Sequence, residues 1–157
     1  DPNYFDAYIH MGMLSENLDN HNAVSYYNSA IEIEPNNIEG YRNKGLFYHF
    51  RSEYINARKS FKKIINIDSN FEETYFNIGN TYLGQYDQIN NNDFLDSAFF
   101  YFKKANDLNQ YYVQAIHNIG LCYEIKKDFE MAKSYYKKAI EIDNNYNPSL
   151  NALNSLY

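Results

Sequence analysis

The amino-acid sequence predicts an all-α protein, an α-solenoid built from stacked helix–turn–helix units. Four families of positions share one period, and this recurrence predicts the fold. The alanines are spaced 34, 41 and 34 residues apart, and the aromatics that follow them keep the same spacing. The families are Gly12, Gly45, Gly79 and Gly120; Ala23, Ala57, Ala98 and Ala132; Tyr27, Phe61, Phe102 and Tyr136; and Ala30, Ile64, Ala105 and Ala139.

Each unit reads as two amphipathic helices. In the second unit Tyr41, Gly45 and Tyr48 fall at i, i+4 and i+7, and Ala57 and Phe61 continue this pattern in the next helix. One helix pair cannot bury its apolar face, so we expect a single stacked domain of nine helices without β-sheet. The predicted units are residues 4–36, 37–70, 71–111 and 112–146, and residues 147–157 form a capping or truncated helix.

Asparagine and aspartate occur where the units should join. Both residues are typical of helix ends and turns, because their side chains bond to nearby backbone groups. The turns are predicted at residues 36–37, 68–70, 107–109 and 143–145.

The third unit carries seven extra residues near 86–93. Tyr86 to Ile89 are predicted to lengthen the first helix, by about two turns at 3.6 residues per turn. Asn90 to Asp93 then make the turn and cap the second helix.

Two aromatics beyond this insertion do not have inward spacing. Phe100 and Tyr101 therefore need another surface, and we expect Tyr86 and Ile89 to pack on one of them. The alternative is an exposed docking site.

The units resemble the tetratricopeptide repeat, a motif of about 34 residues with an aromatic, Leu-Gly, Tyr and then Ala, Phe, Ala and Pro. Residues 38–71 match best, but Ile64 and Ser69 depart from the preferred Ala and Pro. The resemblance covers nearly the whole chain. It implies a right-handed superhelix whose first helices line a concave face, where partners bind as extended or helical peptides.

The residue two before each glycine is the best candidate for contact with such a peptide. It is His10 in the first unit and an asparagine in the other three. Stacked amides offer donors and acceptors to an extended chain, and they resemble the asparagine ladder of O-linked N-acetylglucosamine transferase. Alternatively, these amides bond locally. The candidate residues are Asn43, Asn77 and Asn118, supported by Arg42, Phe76, Asn80 and His117.

Chaperone-binding members of the family hold a C-terminal carboxylate with Lys, Arg and Asn from three successive first helices. The matching places in this chain contain a single cation, Arg42, and one of them is the acidic Glu73. The sequence therefore disfavours binding to the acidic tail of the large heat-shock chaperones.

No pattern in the sequence predicts an enzyme, a cofactor or a metal site. It contains no glycine-rich phosphate loop and no cysteine cluster. His10, His49 and His117 belong to different units, about 9 Å apart per helix or more, which is too far for shared ligation. Cys122 is expected to be a buried core thiol.

Charge and composition narrow the range of partners. The net charge of −6 disfavours nucleic-acid binding, and no apolar run predicts membrane insertion. The single cysteine and the absence of an Asn-x-Ser/Thr acceptor favour an intracellular, cytoplasmic protein.

Two functions follow from this sequence. The leading one is a non-catalytic module whose concave groove binds a peptide segment of a protein partner. The alternative is a structural scaffold of a multi-subunit assembly or a homo-oligomer, which associates through exposed ends or its convex face, as in the stacked-repeat subunits of the anaphase-promoting complex.

Overall fold

The computed structural model describes residues 3–17 and 22–156. Within those residues it has nine α-helices and no strand, so the predicted all-α solenoid is confirmed. The helices are α1 Asn3–Asn17, α2 Ala23–Ile33, α3 Ile38–Phe50, α4 Tyr54–Ile67, α5 Glu72–Ile89, α6 Asn92–Leu108, α7 Val113–Ile125, α8 Phe129–Ile142 and α9 Asn147–Ser155.

The helices form four pairs that stack in chain order. Contacts are most extensive within the pairs α1/α2, α3/α4, α5/α6 and α7/α8. Each second helix also packs on the first helix of the next pair, and α8 packs on α9 in the same way. Neighbouring first helices touch as well, α1 with α3 and α3 with α5. The apolar core is therefore continuous along the stack.

Within a pair, the glycine of the first helix lies under the aromatic ring of the second. A Cβ atom built on Gly79 would lie 2.6 Å from the ring of Phe102, and one on Gly120 would lie 2.7 Å from Tyr136. Non-bonded carbon atoms do not approach this closely, so any residue larger than glycine would push the two helices apart. The recurrence of glycine thus has a direct packing cause.

Three of the four second helices, α4, α6 and α8, end in the same kind of turn. Asp68, Asn109 and Asp143 follow the last residues of α4, α6 and α8. The side-chain oxygen of each accepts a hydrogen bond from the backbone N–H two residues ahead, over 2.8 to 3.1 Å. This local bond favours a turn over continuation of the helix, which explains why Asp or Asn recurs at this position.

The seven extra residues of the third unit lengthen both of its helices. α5 has 18 residues where α3 and α7 have 13, and α6 has 17 where α4 and α8 have 14. Only Asn90, in the left-handed region at φ 53°, and Asn91 separate them. The predicted turn is too long, because Asn92 and Asp93 already belong to α6.

The predicted packing of the extension on Phe100 or Tyr101 is wrong. Ile89 is 58% exposed and Phe100 is 62% exposed. Tyr101 stacks instead on Tyr82, with ring centroids 5.5 Å apart. Phe100 and Tyr101 are adjacent in a helix and point about 100° apart, so only one of them can face α5. Tyr86 packs on the core around α6 and α7.

Candidate functional site

The seven candidate residues lie on α3, α5 and α7, the first helices of three successive pairs. The surface that these helices form at those positions is called the groove face below. Its members are Arg42, Asn43, Phe76, Asn77, Asn80, His117 and Asn118.

Two of the three predicted ladder asparagines are largely buried. Asn43 is 6% exposed, and its Nδ2 donates to the backbone oxygen of Glu39 in the same helix, over 2.9 Å. Asn77 is 8% exposed, and its Nδ2 lies 3.4 Å from Glu73 Oε1, one turn earlier. Each amide therefore spends one donor locally, which was the alternative that the sequence left open.

The third ladder residue bonds across helices. Asn118 Nδ2 donates to Asn80 Oδ1 over 3.0 Å, which joins α7 to α5. Both residues are half-buried, so their remaining amide groups are more accessible than those of Asn43 and Asn77. A carboxamide has two N–H donors and one oxygen, so Asn80 keeps both donors and Asn118 keeps its acceptor beyond this bond.

Arg42 pairs with Glu73 of the next first helix. Its Nη1 lies 3.6 Å from Glu73 Oε2, and about one third of each side chain is exposed. A pair with this exposure contributes little stability, roughly 0 to 1 kcal/mol. It does place a negative charge beside Arg42, the cation that the sequence places among the matching positions for a carboxylate ligand.

His117 and Phe76 contribute mainly to packing between elements. The His117 ring lies against Tyr136 and Tyr146, and its Nδ1 is 3.0 Å from Ser149 Oγ of α9. Burial lowers the pKa of His117 below its usual value, although Glu124 opposes this shift. The imidazole is therefore neutral near pH 7 and offers no charge to a ligand. Phe76 packs between Phe102 and Tyr112.

These contacts form a series along the groove face. Arg42 joins α3 to α5, Asn80 joins α5 to α7, and His117 joins α7 to α9. Each link connects neighbouring first helices through one polar contact. Residues that the sequence predicts as ligand contacts thus connect the first helices to one another. A ligand can bond only to the hydrogen-bond donors and acceptors that these contacts leave unused.

A second polar feature was not predicted from the sequence. The hydroxyl of Tyr136 donates to Glu124 Oε2 over 2.6 Å, and Tyr27 makes the equivalent bond to Glu16. Both rings are fully buried. Burial first, and the bonded carboxylate second, raise the pKa of both tyrosines above the usual value. Each glutamate lies four residues after the glycine of its unit, and this spacing was a readable signal.

The described residues contain no cluster of three or more His, Cys, Asp or Glu side chains that could hold a metal ion. His10 is exposed, whereas His49 packs between Phe50 and Tyr54. Cys122 is fully buried, and burial raises the pKa of its thiol to about 12. None of the described helices combines the length and apolarity needed to cross a membrane.

The sequence model for the tetratricopeptide repeat matches residues 5–37 and 113–146, which are the first and fourth helix pairs.

Two curated relatives are similar over much of the chain. Anaphase-promoting complex subunit 3 of Schizosaccharomyces pombe is 28% identical over 123 residues, 77% of this chain and 17% of the relative. The UDP-N-acetylglucosamine–peptide N-acetylglucosaminyltransferase of Giardia intestinalis is 29% identical over 96 residues, 60% of this chain and 6% of the relative. The chain thus spans less than a fifth of the length of either relative.

Solved structures share the fold at lower identity. PilF of Pseudomonas aeruginosa superposes with a TM-score of 0.80 at 20% identity, over 98% of this chain and 68% of that one. The first repeat domain of Spaghetti (RPAP3), solved with an HSP90 peptide, gives 0.67 at 20% identity, over 76% of this chain and 89% of that one.

Proposed function

We propose that this chain, which belongs to the tetratricopeptide-repeat superfamily, is a non-catalytic module that binds a peptide segment of a partner protein along its groove face. Protein interaction is the role that its similarities support. The fold is generally non-catalytic, although one distant relative is a glycosyltransferase. The features that the sequence associates with intracellular proteins extend the proposal to a cytoplasmic location.

The bonded pair Asn80 and Asn118 is the observation that carries this proposal. It presents two adjacent, half-buried amides whose geometry is fixed by their mutual bond. A preorganised amide loses little entropy when it bonds a peptide group, which favours an extended ligand. Asn77 and Asn43 continue the same line toward α3, although their burial makes them weaker contacts. Arg42 and His117 flank this line.

The structure solved with an HSP90 peptide shows that a chain of this fold can hold a peptide. The ligand of this protein differs in chemistry. Glu73 lies beside Arg42 and would repel a terminal carboxylate there, and His117 is neutral and offers no charge to one. We therefore propose an internal, extended segment as the ligand.

A library of random peptides displayed on phage supplies the probe for this proposal. Peptides selected on the wild-type protein are titrated against Asn118→Ala and Asn77→Ala. Losing one hydrogen bond from a partly hydrated site costs about 0.5 to 1.5 kcal/mol, so each change should weaken binding several-fold. Because Asn118 is the more exposed, its change should have the larger effect.

The matched control is Asn66→Ala, which alters an exposed asparagine on α4, away from the groove face. Its affinity and melting temperature should equal those of the wild type, and circular dichroism should show that the two groove variants remain fully folded at the temperature of the titration. Failure to select any peptide, or selected peptides that ignore both groove changes, would remove the proposal.

The second candidate function is a scaffold segment in a multi-subunit assembly or a homo-oligomer. The similarity to a subunit of the anaphase-promoting complex favours it. Here the groove changes should leave association intact, whereas Leu150→Asp or Leu153→Asp at the α9 end should disturb it. Light scattering of the purified chain with each change separates this function from the first.

A further inference from the structure

A cleft lined by three tyrosines lies between α4 and α6. These two second helices make no extensive contact with each other, so side chains of α5 are accessible between them. Tyr101 of α6 stacks on Tyr82 and Tyr75 of α5, with ring centroids 5.5 and 6.5 Å apart. Tyr82 and Tyr101 are half-buried, whereas Tyr75 is 8% exposed. The surface formed by these three residues is called the tyrosine cleft below.

Positive charge surrounds the tyrosine cleft. The Arg58 guanidinium of α4 lies 4.2 Å from the centre of the Tyr82 ring. Lys62, one turn later on the same side of α4, is exposed. From α6, the Lys104 ammonium lies 5.9 Å from the centre of the Tyr75 ring. α4 has four basic residues and no acidic one, although the whole chain carries a net charge of −6.

These cations have no carboxylate partner. Among the residues that the structure describes, no ion pair joins Arg58, Lys62 or Lys104 to an aspartate or glutamate. This holds even for Asp107, which lies one turn beyond Lys104 on α6. Arg58 donates instead to the neutral Gln85, over 2.8 Å. The positive charge around the tyrosine cleft is therefore not compensated by the chain itself.

The next cleft along the stack, between α6 and α8, is built differently. It keeps the tyrosine stack, since the rings of Tyr123 and Tyr135 have centroids 5.5 Å apart. Phe99 takes the place of the arginine, one residue after the recurring alanine of its helix. The cation over the Phe99 ring is Lys126, and it pairs with Asp96. Uncompensated charge is thus a feature of the tyrosine cleft and not of every helix pair.

An exposed phenylalanine on α6 enlarges the aromatic surface. Phe100 is 62% exposed, and its ring meets that of Tyr101 edge to face, with centroids 5.3 Å apart. The equivalent residues of the other second helices are polar: Ser25, Lys59 and Ser134. Because Phe100 adjoins the tyrosine cleft, it belongs to a continuous aromatic patch and is not an isolated apolar residue.

We propose that the tyrosine cleft is a docking surface for an acidic segment of a partner protein, in which an apolar residue stands among aspartates and glutamates. Charge complementarity supports this occupant, because its carboxylates would supply the partners that Arg58, Lys62 and Lys104 lack. Phe100 and the tyrosine rings would cover the apolar residue. This docking surface is separate from the groove face, which lies on the first helices.

The distribution of charge favours a short acidic segment over a nucleic acid or a membrane. Nucleic-acid affinity grows with the number of phosphates contacted, and outside α4 the chain is more negative than its net charge of −6. An anionic membrane surface would meet the same repulsion. Further units of the stack would not cover the cleft either, because α4 and α6 belong to the two inner pairs.

The probe is a fluorescein-labelled peptide in which a single phenylalanine is flanked by runs of aspartate and glutamate. Lys62→Gln combined with Lys104→Gln removes exposed charges beside the cleft. It should weaken binding about three- to tenfold, measured by fluorescence anisotropy, because exposed ion pairs contribute modestly. The matched control is Lys137→Gln with Lys138→Gln on α8, which changes the net charge equally and should leave the affinity nearly unchanged.

Phe100→Ser tests the apolar contact apart from the charges. It should weaken binding of the same peptide several-fold, because the phenylalanine of the peptide loses its aromatic partner. A second peptide with serine in place of that phenylalanine should bind the Phe100→Ser protein as well as it binds the wild type. All of the changed residues are exposed, and circular dichroism checks that each variant is folded.

Five outcomes overturn the proposal. The first is the absence of saturable binding, and the second is equal weakening by the two pairs of lysine changes, which assigns the attraction to net charge. The third is equal binding of a peptide with asparagine and glutamine in place of its acids. The fourth is tighter binding of oligouridylate or phosphatidylserine vesicles that the cleft changes abolish. The fifth is self-association that the cleft changes abolish, which makes a second copy the occupant. None of these outcomes bears on the asparagine contacts proposed for the groove face.

Discussion

The outer and inner helix pairs differ at the aromatic residue that lies on the glycine. The first and fourth pairs place Tyr27 and Tyr136 there, whereas the second and third place Phe61 and Phe102. All four rings are fully buried. The residue four after the glycine differs in parallel: it is Glu16 and Glu124 in the outer pairs, and His49 and Leu83 in the inner pairs.

This difference indicates that the residue types at two positions on separate helices depend on each other. A buried hydroxyl without a partner costs about 1 to 3 kcal/mol, so tyrosine is acceptable only where the first helix supplies an acceptor. Phenylalanine has no such need, and the facing position is then free to hold leucine or histidine. Either pairing fills the same space, but a tyrosine opposite leucine leaves its hydroxyl unsatisfied.

The largest effect should come from Phe102→Tyr, which creates the mixture in an inner pair. The new hydroxyl would face Leu83, which cannot accept a hydrogen bond. We expect the free energy of unfolding to fall by about 1 to 3 kcal/mol, measured by urea denaturation.

The second change Leu83→Glu supplies the missing acceptor and should recover at least half of that loss. A matched control is Leu83→Glu alone, which shows what the carboxylate does without the hydroxyl. If Phe102→Tyr is as stable as the wild type, or if the double change is no better than the single one, the two positions are not coupled.

A smaller effect is expected for Tyr136→Phe in an outer pair. It removes the 2.6 Å bond to Glu124, whose half-buried carboxylate can regain water. The loss should be about 0.5 to 1.5 kcal/mol. Adding Glu124→Leu converts the pair to the inner type and should return stability close to the wild-type value. A double change that is additive would contradict the coupling.

The smallest effect concerns alkaline pH. Burial and a carboxylate partner raise the pKa of Tyr27 and Tyr136, so these hydroxyls stay protonated in the folded protein when they ionise in the unfolded chain. Their contribution is complete well below pH 10 and is lost as the pH rises above it. At pH 10 each tyrosine lowers the free energy of unfolding by about 0.4 kcal/mol relative to neutral pH, because its hydroxyl is ionised in half of the unfolded molecules.

Melting temperatures between pH 8 and 11 measure this loss. Tyr27→Phe with Tyr136→Phe should fall less steeply than the wild type over that range. The matched control is Tyr4→Phe, which alters an exposed tyrosine and should leave the slope unchanged. Equal slopes in all three proteins would show that the outer tyrosines do not carry the alkaline sensitivity.

Much of the fold was predictable because residues that recur along the sequence make the same packing contact in each helix pair. Gly45 and Phe61 are 16 residues apart, as are Gly120 and Tyr136, since each glycine must lie under an aromatic ring. The extension of the third unit follows no period, and its packing was predicted wrongly. The rotation of α6 about its axis decides which of two adjacent aromatics faces α5. Tyr101 stacks on Tyr82 and Tyr75, whereas Phe100 is exposed.

The groove face shows the same limit. The alignment of Asn43, Asn77 and Asn118 was readable from spacing, whereas their different burial was not. The bond between Asn80 and Asn118 depends on the distance between two helices, which no pattern within one helix encodes. The link of Glu16 and Glu124 to the outer tyrosines was readable by comparing units, because both positions change together.

The matched lengths of α5 and α6 also bear on how a repeated chain finds its register. Units of similar sequence can exchange partners during folding, and such misassembly is a characteristic failure of repeat proteins. α5 exceeds α3 by five residues and α6 exceeds α4 by three, and Tyr86 near the end of α5 packs on the cluster that contains Leu95 of α6. A shorter partner would leave these side chains in water. The insertion thus favours pairing of α5 with α6 over pairing with the helices of another unit. This correct pair then fixes the register of its neighbours.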